Sequence, residues 1–187
     1  MPDATPQGYA IELYFDAQTE KKILVFRESI YQLGVTPVLG KLDDRPHISL
    51  AVFGQQDPQK LIDIAASFSP LKTPLPVRLE AVGAFPTDSN VVFLLPVPSF
   101  ELLKIHQDFH EILEKEKVHS SHYYLPDHWV PHCTIESALS DDQLNLAIQL
   151  CKKLFTPITG CLTAVGVIAF RPLAYLAEFP LSIQDKI

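Results

Sequence analysis

Apolar positions recur along this chain with two alternating periods. Residues 9–15, Tyr-Ala-Ile-Glu-Leu-Tyr-Phe, read as a first strand. Residues 17–34 place Ile23, Phe26, Ile30 and Leu33 at helical spacing, and Gly34 suits the C-terminal end of that helix. Leu42–Arg45 form a polar lead into a second strand, His47–Phe53. After a loop at Gly54–Asp57, Pro58 opens a helix through about Phe68, with Leu61, Ile64, Ala65 and Phe68 inward. Prolines 70, 74 and 76 punctuate the chain. Val77–Phe85 then reads as a strand and residues 86–90 as a turn.

The order then restarts. Val91–Val97 is an apolar strand. Ser99 caps a helix to about Val118, with Glu101 in its first turn. Residues 119–131 make a loop rich in aromatic residues and histidine, leading to a strand at His132–Leu139. Ser140-Asp141-Asp142 caps a helix to about Phe155, with Leu144, Ala147, Ile148 and Cys151 inward. A long strand follows at Ile158–Phe170, with a bend expected at Gly160 or Gly166, and Leu173–Phe179 is the last strand. The pattern is strand, helix, strand, helix, strand, repeated once with one strand added. It implies a single domain over residues 1–187, with lobes at about 9–86 and 90–182, sharing one body. The expected fold class is α+β: a bilobal, pseudo-two-fold duplicated fold, with antiparallel sheets around a central cleft and helices flanking them.

Two short motifs occupy equivalent places in the repeat. One is Pro46-His47-Ile48-Ser49-Leu50, and the other is Pro131-His132-Cys133-Thr134-Ile135. In a strand, residues i and i+2 share a face and lie about 7 Å apart. His47 and Ser49 therefore share one face, and His132 and Thr134 share another. Brought together about a two-fold axis, they offer two imidazoles and two hydroxyls to one spot. That set suits a phosphate, because hydroxyls donate to its oxygens and imidazoles exchange protons near neutral pH. Pro46 and Pro131 set how the chain enters each strand.

Composition narrows the partners. The 187 residues are 47% hydrophobic and 20% charged, with a net charge of −7, which argues against a protein that holds long nucleic acid by charge. No apolar stretch is long enough to cross a bilayer, and Met1–Ala4 opens no secretory leader. Cys133, Cys151 and Cys161 are an odd number without metal spacing, as expected of reduced thiols in a cytoplasm.

The two His-x-Ser/Thr-x motifs, His47-Ile48-Ser49-Leu50 and His132-Cys133-Thr134-Ile135, resemble those of the 2H phosphoesterase superfamily, which includes the bacterial 2′-5′ RNA ligase-like proteins and cyclic phosphodiesterases. Trp129-Val130-Pro131 is also similar to many members. Ser49 stands where threonine is common, and the hydroxyl survives. The resemblance implies metal-free, cofactor-free chemistry on 2′,3′-cyclic phosphates or 2′-5′ phosphodiester bonds. His47 and His132 would be catalytic, with His132 as base and His47 as acid by similarity to the plant-type cyclic phosphodiesterases. Ser49 and Thr134 would hold the phosphate. The expected partner is a nucleotide or an RNA end bearing a cyclic phosphate, met by a monomer, with no membrane and no DNA. The rival readings are a nucleotide-binding module without useful turnover and a 2′-5′ RNA ligase.

Other residues invite weaker readings. Tyr123, Tyr124 and Trp129 are candidates to stack on a nucleobase, and Phe85 less so. His106 and His110 lie i, i+4, but the intervening Gln-Asp-Phe lacks the glutamate of a zinc-protease motif. His119, His122 and His128 read as a solvated loop rather than a metal site. Arg45 and Arg171 read as surface salt bridges more readily than as phosphate ligands.

Overall fold

The computed structural model describes residues 5–85 and 87–182; Met1–Ala4, Pro86 and residues 183–187 lie outside the described residues. Among the described residues, seven strands and four α-helices follow in the order β1 (Gly8–Phe15), α1 (Ala17–Gln32), β2 (His47–Phe53), α2 (Pro58–Phe68), β3 (Leu75–Phe85), β4 (Val91–Pro96), α3 (Phe100–Lys115), β5 (Cys133–Glu136), α4 (Asp141–Leu154), β6 (Ile158–Phe170) and β7 (Ala174–Pro180). The fold is α+β, and every strand pairing is antiparallel.

The sheet order is β2-β1-β6-β3-β4-β5, with β7 also on β6. Exchanging β1 with β4, β2 with β5 and β3 with β6 returns the same order, so the connectivity is that of a pseudo-two-fold with its axis between β3 and β6. The third strand of each sequence half pairs with the first strand of the other: β3 with β4, and β6 with β1. This exchange explains why one hydrophobic core runs through the whole molecule. The register carries the same symmetry. Glu12 faces Ser49 and Leu13 faces Ile48 across β1 and β2, while Phe93 faces Thr134 and Leu94 faces Cys133 across β4 and β5.

Local chemistry sets the helix starts. The Asp16 side chain accepts from the Gln18 and Thr19 N–H groups, and its second oxygen accepts from Cys161 N–H, so the cap of α1 is also pinned to β6. Asp57, Ser99 and Ser140 cap α2, α3 and α4 in the same way. Past α1, Gly34 takes φ 109, a left-handed turn that glycine allows.

The second histidine strand is shorter than its apolar pattern, ending at Glu136 rather than Leu139. Glu136 is fully buried, and its carboxylate accepts from Tyr31 Oη at 2.6 Å and from Val38, Leu39 and Ser137 N–H at 2.8–3.0 Å. Those bonds turn the chain away from the sheet, and Ala138 follows at φ 55. They also hold the short 3₁₀ turn Leu39–Leu42. Strand β6 runs unbroken through both of its glycines. Gly166 serves close approach instead: a Cβ there would run into the Tyr14 ring. Of the turn expected over 86–90, residues 87–90 are described, and Asn90 closes it at φ 40 by donating to the Leu139 carbonyl and Asp141.

Candidate active site

Both motif histidines are held in the same way. His47 Nδ1 lies 2.7 Å from the Arg45 carbonyl oxygen, and His132 Nδ1 lies 2.7 Å from the Val130 carbonyl oxygen, each two residues back across a proline. A carbonyl only accepts, so Nδ1 carries the proton in both rings and Nε2 is left as the working atom. His47, His132 and Thr134 line one cleft of about 540 Å³, with Leu39, Asp44, Phe85, Thr87, Ser89, Tyr123, Tyr124, Trp129 and Ser137 among its walls. Ser49 sits on the same strand face as His47, opposite Glu12, with the Tyr124 hydroxyl beside it.

The surroundings of the two rings differ. His47 Nε2 lies 3.2 Å from Oε1 of Glu12, which is 2% exposed on β1. Burial lowers the His47 pKa, but the Glu12 and Asp44 carboxylates and the Arg45 carbonyl outweigh it and hold it above the ordinary value. His132 is instead packed against Phe85 and Phe93, with ring centroids 5.0 and 5.1 Å away. Burial among these rings holds its pKa below the ordinary value, and a charged His47 nearby adds to the effect. One imidazole is therefore biased toward the charged form and the other toward the neutral form. That is the pairing that acid–base work on one substrate requires.

By sequence the chain matches the 2′-5′ RNA ligase superfamily over residues 40–171, a stretch that contains both histidine motifs. The chain belongs to the 2′-5′ RNA ligase superfamily. Solved structures agree at the level of fold. E. coli LigT complexed with 3′-AMP is similar with a TM-score of 0.66 at 16% identity, over 96% of this chain and 100% of LigT. TT0787 of Thermus thermophilus gives 0.65 at 14% identity, over 95% of this chain and 100% of its own. Kluyveromyces marxianus Usb1 with uridine monophosphate gives 0.50 at 10% identity, over 93% of this chain and 97% of its own. No curated protein matches the chain.

In this 2′-5′ RNA ligase superfamily member the aromatic candidates divide. Trp129 lines the cleft but is 8% exposed: its ring stacks on His106 at 3.8 Å and 5°, and its Nε1 donates to the Ser49 carbonyl oxygen at 3.0 Å. It braces the strand that carries Ser49. Tyr123, 77% exposed, and the half-buried Tyr124 remain at the rim. Phe85 packs edge-on to His132.

His106 and His110 each bond a backbone carbonyl oxygen, of Tyr124 at 3.0 Å and of Leu50 at 3.2 Å. Burial pushes the His106 pKa down to about 3 and also lowers that of His110, so both are neutral braces, His106 for the 119–131 loop and His110 for β2. His128 lines the cleft from that loop. Arg45 is held by Glu20 and Glu178 and lies over the Tyr14 ring, and Arg171 bonds Gln7. No lysine or arginine lines the cleft among the described residues. No group of three or more His, Cys, Asp or Glu side chains is placed to hold a metal ion among the described residues, and no helix there is long and apolar enough to cross a membrane.

Two residues near the site were not singled out in the sequence. Glu12 is an acid inside an apolar strand run, and that incongruity was its signal. Arg27 lies on the apolar stripe of α1 and is 2% exposed. Its Nη1 donates to the Asp44 carbonyl oxygen at 2.7 Å and its Nη2 to the Thr134 carbonyl oxygen at 3.1 Å, which ties the approach to His47 to the strand of Thr134.

Proposed function

We propose that this protein is a phosphodiesterase that opens 2′,3′-cyclic phosphates, on small nucleotides or on RNA ends, by two-histidine acid–base catalysis. The observation that carries the reading is the matched tether of His47 and His132, which fixes a proton on Nδ1 of each ring and leaves Nε2 as the atom for proton transfer, with that of His47 in contact with Glu12. The neutral His132 Nε2 takes a proton from water, and the water oxygen bonds to phosphorus. His47 Nε2–H gives its proton to the departing ribose oxygen as the bond from phosphorus to that oxygen breaks. Ser49 and Thr134 donate to the non-bridging oxygens, on which charge builds in the transition state. Both proton transfers are covered by side chains, so the mechanism needs no metal-activated water.

The cleft favours a substrate with one phosphodiester. A cyclic phosphate carries a single negative charge, which two hydroxyls and one imidazolium can meet. A run of phosphates has no lysine or arginine to follow along the cleft among the described residues, and Asp44 stands in its way. The complexes of LigT with 3′-AMP and of Usb1 with uridine monophosphate support a nucleotide as the ligand class. The rim tyrosines Tyr123 and Tyr124 offer faces for its base.

The test is a panel of the four nucleoside 2′,3′-cyclic phosphates and short RNAs with cyclic ends, with the product phosphate position assigned by NMR. The expected result is hydrolysis to one monophosphate isomer. Saturable binding without hydrolysis would make the chain a nucleotide-binding module, and joining of RNA ends without hydrolysis would make it a ligase.

A further inference from the structure

The two-fold relation between the motifs is broken at one strand position. Across from Ser49 stands Glu12, and across from Thr134, in the same register, stands Phe93. The Arg45 carbonyl fixes the Nδ1 proton of His47, so a neutral His47 presents a lone pair at Nε2. That lone pair would face a carboxylate oxygen 3.2 Å away, and two acceptors do not hold such a contact. The pair therefore keeps one proton between Nε2 and Oε1, as imidazolium with carboxylate or as imidazole with carboxylic acid. Glu12 Oε2 is buried without a hydrogen-bond partner among the described residues; Oε1 meets His47, and the Tyr14 hydroxyl lies beside the carboxylate. His132 has only phenylalanine rings at the corresponding place.

We infer that Glu12 is the positioning residue that sets the direction of proton flow: it keeps His47 loaded as the donor, while Phe93 in the equivalent place leaves His132 as the acceptor. The inference rests on the two-histidine reading above and assigns within it which histidine is acid and which is base. In turnover the ribose oxygen, far more basic once its bond to phosphorus breaks, takes the Nε2 proton from the pair. His132 ends with the proton of water, and exchange with solvent returns both to their resting states.

Other groups face the pair from every neighbouring element. Asp44, in the loop before β2, strengthens the hold on the His47 proton, and Arg27 on α1 weakens it. Arg45 eases the charge on Glu12. Tyr14 on β1, Tyr175 on β7 and Tyr124 in the loop before β5 lie close to Glu12, and burial raises the pKa of each, so they stay neutral. His132 and the Cys133 thiol on β5, kept neutral by burial, complete the set. Of these, Glu12 is the carboxylate in hydrogen-bond contact with Nε2.

The experiment follows the imidazole nitrogens by ¹⁵N NMR against pH in the wild-type chain, Glu12→Gln and Glu12→Asp. It is paired with pH–rate profiles on a nucleoside 2′,3′-cyclic phosphate. Wild-type His47 is expected to titrate above the ordinary histidine value. Glu12→Gln lowers that midpoint, while Glu12→Asp, which keeps a carboxylate, holds it above the amide variant's. The alkaline limb of the rate profile moves down with it, so that turnover at pH 8 falls at least about tenfold relative to pH 6. A wild-type His47 that titrates at or below the ordinary value overturns the inference without any variant. So does an unchanged midpoint in Glu12→Gln, or a rate lost equally at all pH, which would mark a merely structural role. The NMR arm needs no turnover, so a chain that hydrolyses none of the panel overturns the proposed activity while His47 still decides the role of Glu12.

Discussion

Replacing Glu12 by Gln should make the fold more stable at alkaline pH. Burial is the main cause that raises the Glu12 carboxyl from 4.5 to about 7, with His47 opposing it. The folded chain therefore binds this proton more tightly than the unfolded chain does. The stability that goes with it is fully present below the unfolded value and is lost as the pH rises through the folded one, from 4.5 to about 7. At about 1.4 kcal/mol per unit, the carboxylate costs up to about 3 kcal/mol at pH 8.5 and under about 1 kcal/mol at pH 5. The glutamine amide escapes that cost but loses part of its own hydration, about 1 kcal/mol. A net gain of about 2 kcal/mol at pH 8.5 corresponds to a rise in Tm of about 4–8 °C for a chain of this size. The assay is thermal unfolding followed by circular dichroism at the two pH values, wild type against variant. The gap should open at the higher pH and nearly close at the lower one. A variant less stable than wild type at pH 8.5, or an equal gap at both, would refute the reasoning that a buried carboxylate sits beneath His47.

Ser49→Ala or Thr134→Ala should slow turnover about a hundredfold or more with the circular dichroism spectrum unchanged, since one donor to a transition-state oxyanion is worth about 3–4 kcal/mol; unaffected rates in both would remove the hydroxyls from the mechanism. Glu136→Ala leaves three backbone N–H groups and the Tyr31 hydroxyl without their buried acceptor. It should cost at least about 3 kcal/mol in urea unfolding and speed hydrogen exchange at Val38 and Leu39. Gly166→Ala drives a methyl into the Tyr14 ring and should cost about 1–3 kcal/mol while lowering turnover, because Tyr14 neighbours Glu12; a variant of wild-type stability would count against that packing.

Much of this architecture is legible along the chain, for local reasons. The strand His47–Phe53, the helix Pro58–Phe68 and the strand Ile158–Phe170 match their expected bounds, because period, cap and proline agree there. The second histidine strand ends early because Glu136 collects donors from Tyr31, Val38 and Leu39, remote in sequence, which no local pattern reports. The strand exchange that pairs β1 with β6 and β3 with β4 is hidden for the same reason. The repeat announces two equivalent halves but not which strands each half lends to the other. Glu12 differs from its apolar strand neighbours, but a single acid in a strand normally marks a solvated face. Only the pairing with Ser49 turns it toward His47. Trp129 shows the reverse: an aromatic beside the motif looks free to stack, and the fold commits it to His106 and the Ser49 carbonyl.

The most direct measurement of the central claim is the steady-state hydrolysis of a nucleoside 2′,3′-cyclic phosphate by the wild-type chain, His47→Ala, His132→Ala and the double variant, across pH 5 to 9. Two histidines biased to opposite protonation states should give the wild type a bell-shaped profile whose limbs belong to the coupled pair. Each single variant should lose most of the rate, and the double variant little more, because the two act as a unit. A single variant that kept near-normal turnover would contradict the two-histidine mechanism, whatever the fold resembles.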